Sequence, residues 1–475
     1  MSVKLTEKMF FKKLFNFSVA SWLSAGISFF MTPFITRIYF PSEIGKINIF
    51  MTAVMFFQIV CTLSLDQALM RFYYENLKTL NRENILKYFL LLNFKIYMIM
   101  IPIIIGIYFK ILLFDEIKLL ICFIIVIGSN IFLRMVNVSF RIEKKVKYYI
   151  IQTVLISCVD KILLVIIGFY FPNHKDAIYT LTIGYIILVF LFVYIKSREL
   201  LVSIGNVSRT DTIEILKFSI PYVPVLLLSW LNSSIPLFIL RKYLDYSAIG
   251  IYTSAITIAN ILTIVQTGFS AYWGPFIYEY YLDKENIQKI QKNIIIILMI
   301  LSILIVIFQD YIFMLIGSKF RGSKVFFPFL MFTPICNVIG ETTGIGIMLS
   351  KKSYLNIITF ILGVTTNIIG SYLLIPIYGS IGAGISVSCS AVVILIIRSI
   401  LGEKYYKISQ NNNFIIFSVI CFILVSFFNL KPLNFLGMNI IIIIFIFYIF
   451  IFRNEILKFL LVIREVKNFF IKLLK

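Results

Sequence analysis

The sequence predicts an all-α integral membrane protein with about 14 transmembrane helices. Of its 475 residues, 60% are hydrophobic and only 14% are charged, and the mean hydropathy is +0.97. Apolar runs of about 20 residues recur along the whole chain, which is the helix length that crosses a hydrocarbon core ~30 Å thick. These runs are continuous and rich in Ile, Leu and Phe, whereas membrane β-strands alternate polar and apolar residues.

The Lys and Arg residues predict how these helices are oriented. With the N-terminus inside, the inside segments carry 30 Lys and Arg residues and the outside segments carry 11. Loops rich in Lys and Arg face the cytoplasm, so we expect both termini there. The formal net charge of +22 then indicates contact with anionic lipid and not with nucleic acid. The fourteen predicted spans are 14–36, 47–67, 87–109, 117–138, 148–171, 177–195, 213–239, 247–273, 292–312, 325–349, 354–375, 380–401, 414–430 and 435–452.

Two similar segments indicate an internal repeat. Residues 15–50 and 216–255 both open with Phe-Ser and carry a late proline, an arginine shortly after it and a turn that ends in Ile-Gly. Each copy begins a block of six spans, so both enter the membrane in the same direction, as parallel repeats of transporters do. We therefore expect two parallel-repeat six-helix bundles and two extra C-terminal helices. The predicted domains are an N-terminal bundle 1–196, a cytoplasmic linker 197–212, a C-terminal bundle 213–402, two additional transmembrane helices 403–453 and an amphipathic cytoplasmic tail 454–475.

Several motifs in this order resemble those of a transporter superfamily. They are Thr36-Arg37 with FPSEIGKINIF, then KFSIPYVP, AIGIYTSA, FSAYWGPFIYEYY and the long segment NIIGSYLLIPIYGSIGAGISVSCS at 367–390. Over its whole length the chain is similar to the polysaccharide and O-antigen flippases of the multidrug/oligosaccharidyl-lipid/polysaccharide exporter superfamily, which is MATE-like. It departs from that pattern at Ile235-Pro236, where many relatives have Asp-Arg after LNSS.

The resemblance implies a flippase in the bacterial inner membrane. Its cargo would be undecaprenyl-pyrophosphate-linked oligosaccharide, such as O-antigen, capsule or related repeat units, moved from the cytoplasmic to the outer face by alternating access. Membrane lipid and the polysaccharide polymerase machinery are the other partners it implies. We expect no catalytic residue, cofactor or metal site, since the only histidine lies in a loop and the six cysteines lie in apolar runs without Cys-x-x-Cys spacing.

Charged residues inside the spans are the candidate site. Intramembrane charges usually face a cavity or a partner, because a bare charge in lipid is costly. Lys95 and Lys161 lie about 13 Å and about 20 Å from the cytoplasmic surface at 1.5 Å per residue, while Arg134 is close enough to the inside end to reach water. Pairing with Asp66 or Asp160 is the alternative role for these bases. We predict Lys95, Lys161 and Arg134 as substrate-binding residues, since the first half has three such bases and only two such acids.

Three acids within spans are candidates for ion coupling or cavity charge. They are Glu341, Asp66 and Asp160. Burial raises the pKa of a carboxyl, so Glu341 could exchange protons as a cleft opens; a packing hydrogen bond between helices is the other interpretation.

Two other functions compete with the flippase. A MATE-like multidrug exporter has the same fold, but its cargo is usually cationic and the surplus of bases disfavours it. The first span also lacks the acid expected for cation coupling. A membrane-embedded polysaccharide polymerase or ligase would need a sizeable outer segment with catalytic groups, whereas every predicted outside loop is shorter than about fifteen residues.

Overall fold

A computed structural model describes residues 2–74, 82–111, 116–202, 208–350, 352, 354–407, 413–430 and 435–457, and these residues contain helices and no strand. The α-helices are α1 Ser2–Ile38, α2 Pro41–Thr62, α3 Leu65–Phe72, α4 Arg82–Ile111, α5 Ile117–Ile142, α6 Val146–Gly168, α7 His174–Ile195, α8 Ser197–Leu201, α9 Arg209–Ser219, α10 Val223–Tyr243, α11 Tyr246–Ala259, α12 Thr263–Tyr280, α13 Lys284–Ile307, α14 Gln309–Leu315, α15 Phe327–Leu330, α16 Phe332–Thr343, α17 Ile345–Leu349, α18 Tyr354–Tyr378, α19 Ser380–Tyr405, α20 Asn413–Leu430 and α21 Phe435–Ile451. Short 3₁₀ helices cover Ile220–Tyr222, Asn260–Leu262 and Ser318–Val325.

The predicted class, an all-α membrane protein, is confirmed. Within the described residues, 12 helical segments are long and apolar enough to cross a membrane, and a bent pair raises this number to 13. The last predicted span corresponds to the shorter apolar helix Gly437–Ile451. The predicted tail 454–475 lies outside the described residues from position 458 onward.

The tenth predicted span, 325–349, is broken in the structure. The 3₁₀ helix Ser318–Val325 and the helical segment Phe327–Thr343 meet at 69°, and α17 begins only after Gly344. Pro328 and Pro334 lack the backbone N–H that a continuous helix would use, which favours breaks in this region. Hydropathy alone does not distinguish such a broken span from a straight one.

The described chain separates into two compact units. We call residues 30–237 with 245–250 the N-terminal unit, and residues 1–29, 238–244 and 251–475 the C-terminal unit. This division follows compactness and not the repeats, and the domain boundaries expected from the repeats stay a prediction.

In the N-terminal unit, α5 is the helix on which the others pack. The ring of Phe123 on α5 lies 5.3 Å from Phe50, 5.7 Å from Phe57 and 5.4 Å from Tyr108, measured between centroids. Some polar side chains form hydrogen bonds between these helices, which lowers the cost of placing them in an apolar surrounding. The Gln152 amide, for example, donates to the carbonyl of Leu133 at 2.9 Å.

In the C-terminal unit, α18 and α19 form a tight helical hairpin. Its turn is at Gly379, which has φ +57° and so adopts the left-handed conformation that glycine reaches without strain. The two helices approach so closely that a Cβ on Gly363 would lie 2.3 Å from Ile394, and one on Gly382 would lie 2.3 Å from the carbonyl oxygen of Leu374.

The two repeats meet through a reciprocal backbone contact inside the N-terminal unit. A Cβ on Gly45 would lie 1.9 Å from the carbonyl oxygen of Tyr246, and a Cβ on Gly250 would lie 1.9 Å from the carbonyl oxygen of Pro41. Each contact joins the first residue of one helix, α2 or α11, to the fifth residue of the other. Only glycine permits this approach, because any side chain there would meet backbone.

Candidate functional site

Asp66 and Arg134 form an ion pair in the N-terminal unit. The Nε and Nη2 atoms of Arg134 donate to Oδ2 of Asp66 at 3.0 Å and 2.7 Å. The Asp66 side chain is 3% exposed and that of Arg134 is 41% exposed. The amide of Gln67 also donates to Oδ2 of Asp66, at 3.1 Å. The acid that could have neutralised one of the intramembrane lysines is therefore paired with the arginine.

The position of Asp66 follows from a break in the backbone after α2. Leu63 and Ser64 both have positive φ, 45° and 56°, which ends α2 and starts the short helix α3 in a new direction. The apolar face of α3 is anchored by Leu65, Leu69 and Phe72, which are all buried in one core cluster. This anchoring fixes Asp66, in the first turn of α3, where Arg134 on α5 can reach it.

Asp160 is hydrogen-bonded to a tyrosine on a neighbouring helix. The Tyr185 hydroxyl on α7 donates to Oδ1 of Asp160 at 2.7 Å. Asp160 and Lys161 are both half-buried, and as sequence neighbours they interact electrostatically. Among the residues that the structure describes, no carboxylate lies within ion-pair distance of the Lys161 amine.

Lys95 is exposed on α4 and has no carboxylate partner within the described part of the chain. One helical turn before it, Leu91 lines an apolar cavity of about 370 Å³, together with the adjacent Phe94 and with Lys87. The amine of Lys87 donates to the carbonyl of Val202 at 2.8 Å. Lys95 itself is not among the residues that line this cavity, and no described acid lies within ion-pair distance of its amine.

Glu341 lies in a different place from the other predicted residues, within the C-terminal unit. Its Oε1 accepts a hydrogen bond from the Ser270 hydroxyl at 2.7 Å, and its backbone carbonyl accepts one from Nε1 of Trp273 at 3.1 Å. These contacts fix α16 against α12. The carboxyl lines a cavity of about 210 Å³.

The same cavity contains a residue that the sequence analysis missed. Arg398 on α19 lines it with Glu341, and the two charges interact electrostatically although no ion pair forms between them. The Nε atom of Arg398 is buried and has no hydrogen-bond partner in the described structure. The total of 30 inside basic residues counts Arg398 with the cytoplasmic flank, although Arg398 lies within the twelfth predicted span, 380–401. The seven helical residues that follow it, up to Tyr405, could have been read as a sign of its depth.

Glycines make the space that Arg398 occupies. A Cβ on Gly344 would lie 2.7 Å from Nε of Arg398, and one on Gly340 would lie 3.5 Å from its Cδ. Gly346 on α17 and Gly402 on α19 allow the backbones of these two helices to approach closely, since a Cβ on Gly346 would lie 1.9 Å from the carbonyl oxygen of Gly402. The glycines of the GETTGIG segment thus let α19 pass close by and let its arginine side chain lie across α16 and α17.

The two units therefore hold different chemistry. Among the candidate residues, the N-terminal unit contains the Asp66–Arg134 ion pair and two lysines, Lys95 and Lys161, without an ion-paired carboxylate. The C-terminal unit contains an acid, Glu341, and a guanidinium, Arg398, around a small cavity. In the portion that the structure describes, no group of three His, Cys, Asp or Glu residues is arranged to hold a metal ion. The available chemistry is charge pairing and hydrogen bonding, which is what recognition of a charged cargo uses.

Solved transporter structures have the same fold as this chain. The lipid II flippase MurJ in an inward closed conformation is 14% identical, covers 93% of this chain and 100% of its own, and gives a TM-score of 0.65. An inward-facing multidrug resistance MATE family transporter of the MOP superfamily is 15% identical, covers 85% of this chain and 97% of its own, and gives 0.59. MATE in complex with MaD3S is 17% identical, covers 83% and 95%, and gives 0.54.

The other two comparisons found no relative. No protein-family model matches the chain, and no curated protein matches it. At the identities above, the likeness to solved structures shows the fold alone, which this chain shares with the MurJ and MATE structures.

Proposed function

We propose that this protein is a flippase that moves undecaprenyl-pyrophosphate-linked oligosaccharides across the bacterial plasma membrane by alternating access. The observation that carries the proposal is the pair of lysines, Lys95 and Lys161, without an ion-paired acid among the described residues. An ammonium group that lies within an apolar span without an acid is costly unless a ligand or water compensates it. A diphosphate on a lipid carrier supplies this compensation and can enter from the membrane.

The two acids that could neutralise these lysines already have other partners, which supports this interpretation. Asp66 is paired with Arg134, and Asp160 accepts its hydrogen bond from Tyr185. Neutralisation of Lys95 by Asp66, the alternative raised by the sequence, would require Asp66 to leave its pair. Arg134 becomes a weaker candidate for cargo contact for the same reason, because its guanidinium already has a partner.

The fold supports the class of cargo less specifically. One structural neighbour is described as a lipid II flippase and others as multidrug transporters, so the architecture serves both kinds of substrate. The cationic side chains favour anionic cargo over the cationic drugs that an exporter usually carries. We further propose cytoplasmic termini, O-antigen or capsule repeat units as the cargo and a functional link to the polysaccharide polymerase machinery.

Reconstituted vesicles provide the direct test. The probe is undecaprenyl diphosphate that carries one fluorescent sugar, and its movement is followed by quenching of the fluorophore on one face. We expect Lys95→Ala to slow flipping at least tenfold and Lys95→Arg to retain much of the rate, because charge is the required property. Lys147→Ala is the matched control, since Lys147 is an exposed lysine at the start of α6.

Two results would refute the proposal. Lys95→Ala could flip the probe at the wild-type rate while reconstituted at equal density, or the wild type could export a cationic dye and leave the lipid probe untouched. The second result would identify the MATE-like multidrug exporter instead.

A further inference from the structure

The cavity beside Arg398 has the properties of an anion-binding site. Arg398 remains charged at any physiological pH, and its buried Nε has no partner among the described groups. A buried charged donor without an acceptor is strongly unfavourable. The cavity volume of about 210 Å³ is large enough for several water molecules or for one phosphate-sized oxyanion.

Ser270 keeps the obvious counter-ion away from Arg398. Glu341 is the acid that shares the cavity, and its Oε1 is held by the Ser270 hydroxyl at 2.7 Å. No ion pair forms between Glu341 and Arg398, so the guanidinium is left open to the cavity. The glycine contacts hold the backbones of α16, α17 and α19 in place around the cavity, so these helices cannot move together and fill it.

We propose that Arg398 binds a phosphate-class oxyanion in this cavity, and that Glu341 takes up a proton when the anion is bound. The Glu341 carboxylate and a bound oxyanion would repel each other in so small a cavity. Protonated Glu341 therefore favours binding of the anion, and ionised Glu341 weakens it. Arg398 is the charged group that acts electrostatically on Glu341 in the described structure, where α12 contributes Ser270 and Trp273. This site would supply a second anion contact in the C-terminal unit, besides the lysines of the N-terminal unit.

The identity of the anion as the diphosphate of a lipid carrier rests on the proposed function, but the site itself does not. Inorganic pyrophosphate tests the site alone, and farnesyl diphosphate tests whether a lipid-linked headgroup also reaches it. If pyrophosphate binds and the flipping assay fails, the anion site stands and the flippase proposal falls. If flipping succeeds and replacement of Arg398 does not change pyrophosphate binding, the flippase proposal stands and the anion site falls.

Fluorine NMR offers a local readout in the full-length protein. The chain has three tryptophans, and Trp273 lines the cavity, so 5-fluorotryptophan labelling gives three resonances, of which Trp273 is assigned with Trp273→Phe. We expect pyrophosphate to shift the Trp273 resonance and leave Trp22 and Trp230 unchanged. Equal shifts of all three, or no shift of Trp273, would overturn the proposal.

Variants separate the roles of the individual side chains. Arg398→Met should weaken the titration about tenfold to a hundredfold, as expected for loss of a charge-assisted hydrogen bond. Ser270→Ala should weaken it too, because it releases Glu341 towards Arg398. The matched control is Arg453→Met, an exposed arginine of the same unit, which should leave the titration unchanged.

Glu341→Gln is the variant that misfolding cannot mimic. It removes the competing negative charge and should tighten pyrophosphate binding several-fold, while abolishing the proton uptake that accompanies binding in the wild type. Weaker binding by Glu341→Gln, or wild-type binding by Arg398→Met, would contradict the site.

Discussion

Lys196 holds a cluster of four charged side chains together in the N-terminal unit, and its replacement should measurably destabilise the protein. Its amine lies 2.5 Å from Oε1 of Glu143, and 2.7 Å and 2.8 Å from the two carboxylate oxygens of Glu199. Lys145 approaches Oε2 of Glu143 at 2.7 Å. The Lys196 side chain is only 1% exposed, and its amine lies 4.8 Å from the centroid of the Phe140 ring. The cluster connects the end of α5 with the end of α7.

The loss of stability expected for Lys196→Met depends on the charged groups that remain after the substitution. Methionine fills most of the volume, so the main effect is that two carboxylates lose their buried cation. Removal of one partner from a buried ion pair costs about 3–5 kcal/mol. Lys145 stays in place and still pairs with Glu143, which keeps the expected loss near the lower end, at about 3 kcal/mol. This is a large fraction of the roughly 5–15 kcal/mol that stabilises a typical protein domain.

Reversible unfolding in mixed detergent micelles, followed by circular dichroism, measures this difference. Lys147→Met is the control for the same chemical change at an exposed position, and it should cost less than about 0.5 kcal/mol. The combination of Lys196→Met with Glu143→Gln and Glu199→Gln should recover most of the loss, because no buried charge is then left unpaired. If Lys196→Met unfolds with the wild type, or if the triple variant is as unstable as the single one, the electrostatic reasoning is wrong.

Further predictions concern the other ion pair, the orientation and the pH dependence. Arg134→Gln should destabilise by about 2 kcal/mol and cost more than Asp66→Asn in the same unfolding assay, because it leaves the buried partner charged; the opposite order would contradict this. In a cysteine-free background, Leu244→Cys should be labelled from outside intact cells and Lys144→Cys only after permeabilisation, and the reverse pattern would invert the topology. The hydrogen bond to Glu143 raises the pKa of Lys145. Its contribution to stability is therefore complete below the unfolded pKa of about 10.4 and lost as the pH rises through the folded value, so Lys145→Gln should show a smaller fall in alkali; an equal fall would exclude the pair as its source.

The spans could be predicted from the sequence because the length and apolarity of a membrane helix are local properties. The break in the tenth span could not, since Pro328, Pro334 and Gly344 are compatible with a kinked helix as well as with an interrupted one. Which alternative forms depends on the packing of α16 against α19, which is a tertiary contact.

The sequence identifies most of the charged residues inside the spans, but it does not identify the partners of these residues. The pairing of Asp66 with Arg134 joins positions 68 apart in the chain, and nothing in the sequence distinguishes Arg134 from Lys95 as the partner. Arg398 is counted with the cytoplasmic flank of its span, because a boundary shift of a few residues moves a base between a span and its flank. Its role depends on the cavity that it shares with Glu341, and a cavity has no signature in one sequence.

The repeat has a physical consequence that the reciprocal glycine contact allows to be tested. When one segment contacts its copy and the copy contacts it in the same way, the two are related by a twofold operation, as in an isologous interface. The contacts of Gly45 with Tyr246 and of Gly250 with Pro41 meet this condition, because each glycine lies four residues after the residue that its counterpart contacts.

Gly45→Ala and Gly250→Ala should each destabilise by about 1–3 kcal/mol, because the two backbones must move apart to admit the methyl group. The double variant should cost less than the sum, because one separation relieves both clashes. Gly106→Ala, where no atom lies within 4 Å of the added Cβ, is the control and should be neutral or stabilising. Additive losses from the two substitutions would show that the contacts are independent and would defeat the twofold interpretation.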